Sequence, residues 1–89
     1  MDKSVKDISI VISLLNEAES LPELHTWIRR VMEENNFSYE IIMVDDGSTD
    51  SSWDIIRRLS EEDKSVRGIS FRRNYGKSAA LYEGFKAAE

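Results

Sequence analysis

The chain reads IIMVDDGSTD from Ile41 to Asp50, where four apolar residues stand directly before two adjacent carboxylates and a glycine. A short, nearly continuous apolar run is typical of a strand that is covered on both faces of a parallel sheet. Asp, Gly and Ser after such a run indicate a tight turn that leads into a helix cap. Because adjacent carboxylates repel each other, Asp45 and Asp46 indicate either a special turn geometry or a ligand that donates hydrogen bonds.

Two further apolar runs, ISIVISLL at residues 8–15 and VRGISF at residues 66–71, predict two more strands. Helical spacing of apolar residues fills the intervals between these runs. Strands and helices therefore alternate in the order β-α-β-α-β-α, which predicts an α/β fold: a three-layer, Rossmann-like parallel sheet with helices on its faces. The helices are expected over residues 20–35, from a cap at Asp50 or Ser51 to about residue 63, and from about residue 76 to the end.

Local signals predict how two of these helices begin and pack. Ser20 and Glu23 have the spacing of a capping box at the start of the first helix. In the third helix, Leu81, Phe85 and Ala88 are expected to lie on one face.

Three other residues carry packing predictions. Gly84 is expected to let the third helix approach the sheet closely. His25, in the first helix, is interpreted as a surface or packing residue and not as part of a site, and Trp27 in the same helix is interpreted as a packing residue.

Composition excludes several classes of protein. The 89 residues carry a net charge of -5, which argues against a nucleic-acid partner, and they contain no cysteine. No apolar run is long enough to span a membrane, and the first residues lack the apolar core of a signal peptide, so the expected location is cytoplasmic. The last residues look like a helix in progress without a stop signal. We therefore expect the sequence to be the first part of a longer protein.

The most distinctive polar residues follow the three predicted strands. In an open parallel sheet, ligands bind beyond the carboxyl ends of the strands, so these segments are expected to meet at one rim. The middle segment is acidic and the last is basic, a mixture that suits a nucleotide with its hydroxyl groups and phosphates. The residues are Asn16 and Glu17, then Asp45, Asp46, Ser48 and Asp50, then Arg72, Arg73, Asn74 and Lys77.

Each of these motifs also has a purely structural interpretation. The acidic segment could be only a turn and a helix cap, and Glu17 could be an acid favoured by the dipole in a first helical turn. The run RRN at 72–74 could be a solvated strand end, and Lys77 could simply open a helix. The dinucleotide fingerprint, the P-loop and the nucleophile elbow of hydrolases are all absent from the sequence.

Three motifs together resemble one family. VISLLNEAESL, YEIIMVDDGSTDSS and RRNYGKSAALYEGFKAA are similar, in order and spacing, to the first three strand-loop segments of family-two inverting glycosyltransferases with the GT-A fold. The details lean toward the branch of dolichyl-phosphate mannose synthases and undecaprenyl-phosphate sugar transferases. The resemblance covers nearly the whole chain. It implies that residues 1–89 are the N-terminal, nucleotide-sugar-binding part of such an enzyme.

The resemblance also implies roles for the polar residues. Ser13 and Glu17 would line the nucleotide, Asp46 would hydrogen-bond the base, and Asp45 would support the turn or the ribose side. Family members usually carry proline where this chain has Ser13, which could loosen the loop or supply a hydrogen bond instead. On the basic segment, the implied residues near the base or the diphosphate are Lys77 with Arg72 or Asn74.

The implied activity is transfer of a sugar from a UDP-sugar or GDP-sugar to an acceptor, expected to be a polyprenyl phosphate at the cytoplasmic face of a membrane, with inversion. The family's Asp-x-Asp motif, which holds Mg²⁺ or Mn²⁺ on the diphosphate, does not occur in the sequence. The resemblance therefore implies no catalytic residue and no metal ligand within these 89 residues. We expect the chain to be inactive by itself.

Two other classes of protein remain open as alternatives. One is a non-catalytic α/β module that binds a nucleotide or a protein. The other is a receiver-like signalling domain, but such domains place the acidic pair after the first strand, whereas here it follows the second. In the GT-A fold the first strand is central, so this chain would leave its edge unpaired. We therefore expect the chain to self-associate through that edge.

Overall fold

The computed structural model describes residues 6–71 and 77–88, and the predicted alternation of strands and helices is confirmed. Each predicted element is present, with bounds that differ from the expectation by one or two residues. The elements are β1 (Ile8–Leu14), α1 (Leu21–Glu34), β2 (Tyr39–Asp45), α2 (Ser52–Glu62), β3 (Val66–Ser70) and α3 (Lys77–Ala87).

The three strands form one parallel sheet in the order β1-β2-β3. Ile8 of β1 pairs with Tyr39, and Ile41 of β2 pairs with Val66. As the central strand, β2 is buried from Glu40 to Asp45, which explains why its apolar residues run without interruption. The acidic pair therefore follows the middle strand of the sheet.

Helices cover both faces of the sheet. Successive side chains of a strand point to opposite faces, so Ile41 and Met43 of β2 pack in the core under α1 and α2. Ile42 and Val44 face the other way and pack against residues that include Val11 and the end of α3. The predicted three-layer α/β architecture is confirmed.

Gly84 brings α3 close to the sheet, as predicted. An added Cβ at this position would overlap Val11 Cγ1 and would lie 3.1 Å from Val44 Cγ2. Phe85, grouped from the sequence with Leu81 and Ala88 on one apolar face, is 63% exposed. The helix faces the sheet with Gly84 and Ala87, and this orientation turns Phe85 toward solvent.

The predicted capping box at the start of α1 does not form. Ser20 has φ -85° and ψ -22°, a helical backbone conformation, and its side chain makes no capping hydrogen bond. An Ncap residue normally has an extended backbone that aims its hydroxyl at the first turn. Here the turn before α1 supplies a backbone acceptor instead: the Glu17 carbonyl accepts hydrogen bonds from Ser20 N–H (3.1 Å) and Leu21 N–H (3.3 Å).

His25 is buried and paired at the amino ends of the strands. Its Nε2 donates to Asp63 Oδ2 at 2.8 Å, and the Tyr39 hydroxyl donates to the same oxygen at 3.3 Å. Burial alone would raise the pKa of Asp63, but the hydrogen bonds from His25 and from Ser65 N–H outweigh it, so this pKa lies below its ordinary value of 3.8. Burial, followed by the charge of Asp63, raises the pKa of Tyr39.

This cluster predicts a specific acid sensitivity. Because the pKa of Asp63 is lowered by folding, its contribution to stability is present above its ordinary value of 3.8 and is lost as the pH falls through the folded-state value. We expect Asp63→Asn to lower the free energy of unfolding by about 1–2 kcal/mol at neutral pH. The variant should also lose the part of the acid destabilisation that comes from protonation of Asp63.

Urea unfolding at about pH 7 and about pH 3 measures both effects. Asp54→Asn is the matched control, because Asp54 is exposed on α2 and the chemical change is the same. This control should keep the wild-type pH dependence. If Asp63→Asn lost as much stability on acidification as the wild type, the cluster would not be the cause.

Candidate functional site

Two loops meet at the carboxyl ends of β1 and β2. We call residues 15–20, between β1 and α1, the first loop, and residues 46–51, between β2 and α2, the second loop. In parallel neighbouring strands these ends lie side by side, as expected for a binding rim. Four of the seven predicted site residues, Ser13, Glu17, Asp45 and Asp46, lie on or next to these loops.

The two adjacent carboxylates face opposite sides of the sheet. Asp45 is the last residue of β2, and the alternation of the strand places it on the same side as Met43, toward α1 and α2. Its Oδ1 accepts a hydrogen bond from Ser48 N–H at 2.8 Å, and Gly47 takes the positive φ of 84° that this turn needs. Asp45 therefore supports the turn.

Asp46 extends the hydrogen bonding between β1 and β2 by one residue beyond the end of β2. Its N–H donates to the Leu14 carbonyl at 2.9 Å, so the same alternation places Asp46 on the side of Val44, toward α3. Ser13 shares that side with Val11 and is half-buried. Asp45 and Asp46 are only 2% and 5% exposed. The opposite orientation of the two carboxylates explains how one strand end holds both.

Glu17 is held through its backbone. Its N–H donates to Ser52 Oγ at 3.0 Å, and Ser52 is buried at the start of α2. The side chain of Glu17 is exposed at the rim. The first loop is thus anchored to the second helix while the carboxylate of Glu17 remains accessible to a ligand.

Asp50 links the two loops and caps α2. Its Oδ1 accepts from Ser52 N–H at 2.9 Å, and its Oδ2 accepts from Ala18 N–H at 3.3 Å. Hydrogen bonding by Ser52, followed by the bond from Ala18 N–H, lowers the pKa of Asp50. Of the two predicted cap residues, Ser51 makes no capping hydrogen bond with its side chain, and Asp50 does this work.

Asn16 makes the central contacts between the loops, a role that the sequence did not indicate. Its N–H donates to Ser48 Oγ at 2.8 Å. Its side-chain Oδ1 accepts from Thr49 N–H at 2.9 Å and from Asp50 N–H at 3.2 Å. Asn16 has a positive φ of 55°, and asparagine is among the residues that adopt this conformation most readily.

The basic part of the predicted site lies largely beyond the described residues. Arg72 and Asn74 fall outside them, and for Lys77 only the backbone at the start of α3 is described. Within residues 6–71 and 77–88, no group of three or more His, Asp or Glu side chains comes together to hold a metal ion. In the same part of the chain, no helix is long and apolar enough to cross a membrane.

Comparison with known proteins decides the family. The family model of "Glycosyl transferase family 2" matches residues 9–89, which include both loops and all seven predicted site residues. The chain belongs to this family. The family predicted from the three sequence motifs is therefore confirmed, and the sheet of three parallel strands agrees with the GT-A fold expected of it.

Two relatives of this family-2 chain are named "Undecaprenyl-phosphate 4-deoxy-4-formamido-L-arabinose transferase". The protein of Pseudomonas syringae pv. syringae (strain B728a) is 41% identical over 86 residues, which are 96% of this chain and 26% of the relative. That of Salmonella choleraesuis (strain SC-B67) is 42% identical over 82 residues, 91% of this chain and 25% of the relative. The chain thus spans about a quarter of the length of these curated relatives.

Proposed function

We propose that this chain supplies the nucleotide-sugar site of an inverting glycosyltransferase. The whole protein would transfer a sugar from a UDP-sugar or a GDP-sugar to a polyprenyl phosphate. The observation that carries the proposal is the position of Asp46, a nearly buried acceptor on the α3 side of the rim together with Ser13. Family membership supports the reaction type, and the names of the relatives support the acceptor.

In this proposal each rim residue has a separate task. Asp46 accepts hydrogen bonds from N–H groups of the base, and burial strengthens such bonds because little water competes for them. Glu17 and Ser13 bind the nucleotide from the β1 side. Asp45 keeps the turn in shape through Ser48 N–H. Lys77, with Arg72 or Asn74, binds near the base or the diphosphate.

The reaction would be a direct displacement at the anomeric carbon. An oxygen of the acceptor phosphate attacks that carbon, the bond from the carbon to the diphosphate oxygen breaks, and the nucleoside diphosphate leaves with the electron pair. Attack from the opposite face inverts the configuration. The contribution of this chain is to hold the nucleotide, and so the leaving group, in a fixed position.

A divalent metal, Mg²⁺ or Mn²⁺, would neutralise the leaving diphosphate in the whole protein. The described residues do not fit such an ion, because no carboxylate or histidine cluster forms among them and Asp45 and Asp46 face opposite sides of the sheet. The metal ligands would therefore lie outside the described residues. We also propose that the whole protein acts at the cytoplasmic face of a membrane, where a polyprenyl phosphate would be presented.

A transfer assay tests this activity on the whole protein that contains the chain. UDP-sugars and GDP-sugars are each incubated with undecaprenyl phosphate and either Mg²⁺ or EDTA, and the product is analysed by mass spectrometry. We expect a sugar-phospholipid with inverted anomeric configuration by NMR and its loss with EDTA. Release of nucleotide without a lipid product would contradict the proposed acceptor, and absence of both would contradict the proposed reaction.

We propose that the chain self-associates through the outer edge of β1. Among the described strands, β1 pairs with β2 alone, and an apolar groove of about 340 Å³ lies beside that edge, between β1 and α1. Trp27, interpreted from the sequence as a packing residue, is instead 59% exposed and lines this groove. An unpaired edge next to an apolar surface favours association with a second copy.

We expect dimers or larger species in light scattering at high protein concentration. Trp27→Lys should shift the distribution toward the monomer because it places a charge in the groove. Thr26→Lys is the control, since Thr26 is exposed on the same helix but does not line this groove. A wild-type chain that stays monomeric at high concentration would refute the proposal.

A further inference from the structure

The two loops of the site connect strands to helices. Neither is part of a strand or a helix, and each carries a residue proposed to bind the nucleotide: Glu17 on the first and Asp46 on the second. A ligand that touches both residues binds more tightly when their separation is fixed beforehand, because it does not have to order the loops. The contacts that join the loops therefore bear directly on affinity.

Asn16 joins the loops at their centre. Its single side-chain oxygen accepts from two successive backbone N–H groups of the second loop, those of Thr49 and Asp50. Its own N–H donates in the opposite direction, to Ser48 Oγ. The Thr49 hydroxyl also donates to the side-chain oxygen of Asn16, at 3.4 Å, so four hydrogen bonds connect one residue of the first loop with three consecutive residues of the second.

The left-handed backbone of Asn16 makes these contacts possible. With φ at 55°, the chain turns immediately after β1, and both the N–H and the carboxamide of Asn16 reach the second loop. Glycine also adopts this conformation readily, but it offers no oxygen to Thr49 and Asp50. The conformation and the acceptor can therefore be tested separately.

The neighbouring contacts have a different character. Glu17 N–H bonds to Ser52 and Ala18 N–H bonds to Asp50, so both attach the first loop to the start of α2. Asp46 N–H bonds to the carbonyl of Leu14, which extends the sheet. Among Asn16, Glu17, Ala18 and Asp46, Asn16 is the one whose side chain accepts hydrogen bonds from backbone N–H groups of the second loop.

We infer that Asn16 is a positioning residue, which holds the second loop against the first and so presets Asp46 relative to Glu17 before a nucleotide arrives. Asn16 acts through the loop and does not itself touch the ligand. The inference rests on the proposed function, since it specifies how that same site reaches its binding geometry.

Nucleotide affinity of three variants of this chain tests the inference, with UDP and GDP as probes in calorimetric or NMR titrations. Asn16→Gly keeps the backbone conformation and deletes the acceptor, and we expect it to weaken binding about tenfold. Asn16→Asp keeps an oxygen at the same position and should stay within about threefold of the wild type. The control is Asn36→Gly, because Asn36 has a similar φ of 58° between α1 and β2, at the opposite ends of the strands.

A second readout separates positioning from simple stabilisation of the fold. In Asn16→Gly, the amide hydrogens of Thr49 and Asp50 should exchange faster in the free protein, while saturation with nucleotide returns their chemical shifts toward those of the wild-type complex. Unchanged affinity in Asn16→Gly, or equal losses in Asn16→Gly and Asn16→Asp, would overturn the inference. A folded wild-type chain that binds neither UDP nor GDP would overturn the proposed function together with the inference.

Discussion

Replacing Gly84 with valine is expected to lower the free energy of unfolding by about 3 kcal/mol, a large share of the marginal stability of a domain of this size. A Cβ at Gly84 would already overlap Val11 Cγ1 and approach Val44 Cγ2 to 3.1 Å, and valine adds two methyl groups beyond it. The helix would have to move away from the sheet. Chemical denaturation measured by circular dichroism gives the change in unfolding free energy.

Phe85→Val is the control for helix propensity, because it places the same β-branched residue at the next position, where the side chain is exposed. It should cost less than about 1 kcal/mol. A second test pairs Gly84→Ala with Val11→Ala: truncating Val11 makes room for the new Cβ, so the double variant should be more stable than the sum of the single effects predicts. A Gly84→Val variant as stable as the wild type would show that α3 does not lie this close to the sheet.

Replacing Asp46 with asparagine is expected to weaken binding of the preferred nucleotide about thirtyfold, which corresponds to about 2 kcal/mol. Asparagine keeps the size and one acceptor oxygen, but it removes the charge that strengthens a hydrogen bond from a base N–H. The near-complete burial of Asp46 makes this difference larger than it would be at an exposed position. Titration calorimetry of the wild type and the variant measures the loss of affinity.

The matched control is again Asp54→Asn, an identical change at an exposed position on α2. Its affinity for the nucleotide should stay within about twofold of the wild type, since the side chain of Asp54 is exposed in the first turn of α2 and is not among the residues proposed to bind the nucleotide. Circular dichroism shows whether each variant is folded before binding is compared. Equal affinities of Asp46→Asn and the wild type would remove Asp46 from the proposed site.

Much of the fold follows from local sequence patterns. The uninterrupted apolar run of β2 predicts a strand covered on both faces, and the structure places that strand in the middle of the sheet. Local patterns are less informative where one residue has two possible roles. Ser20 has the sequence spacing of a capping box but a helical backbone. Phe85 is apolar, but it follows Gly84, which faces the sheet, and its own side chain is exposed. Apolar periodicity gives little weight to a glycine, although the absence of a side chain is what allows the close contact.

The site is harder to predict from the sequence than the fold, because its contacts join residues that are far apart in the chain. Asp45 and Asp46 attract attention as a pair, but only the register of the strands shows that they face opposite sides. Asn16 bonds to partners 32 to 34 residues away, so no local pattern indicates its role. The same is true of His25, whose partner Asp63 is 38 residues distant.

The central claim is that the rim formed by the two loops binds a nucleoside diphosphate. A backbone NMR titration of the 89-residue chain with UDP and then GDP, each with and without Mg²⁺, tests it most directly. We predict shifts confined to residues 13–18, 45–52 and 72–78, with one base preferred and with the shifts reduced by Asp46→Asn. A well-dispersed spectrum that neither nucleotide changes, or shifts that are the same in the Asp46→Asn variant, would contradict the claim.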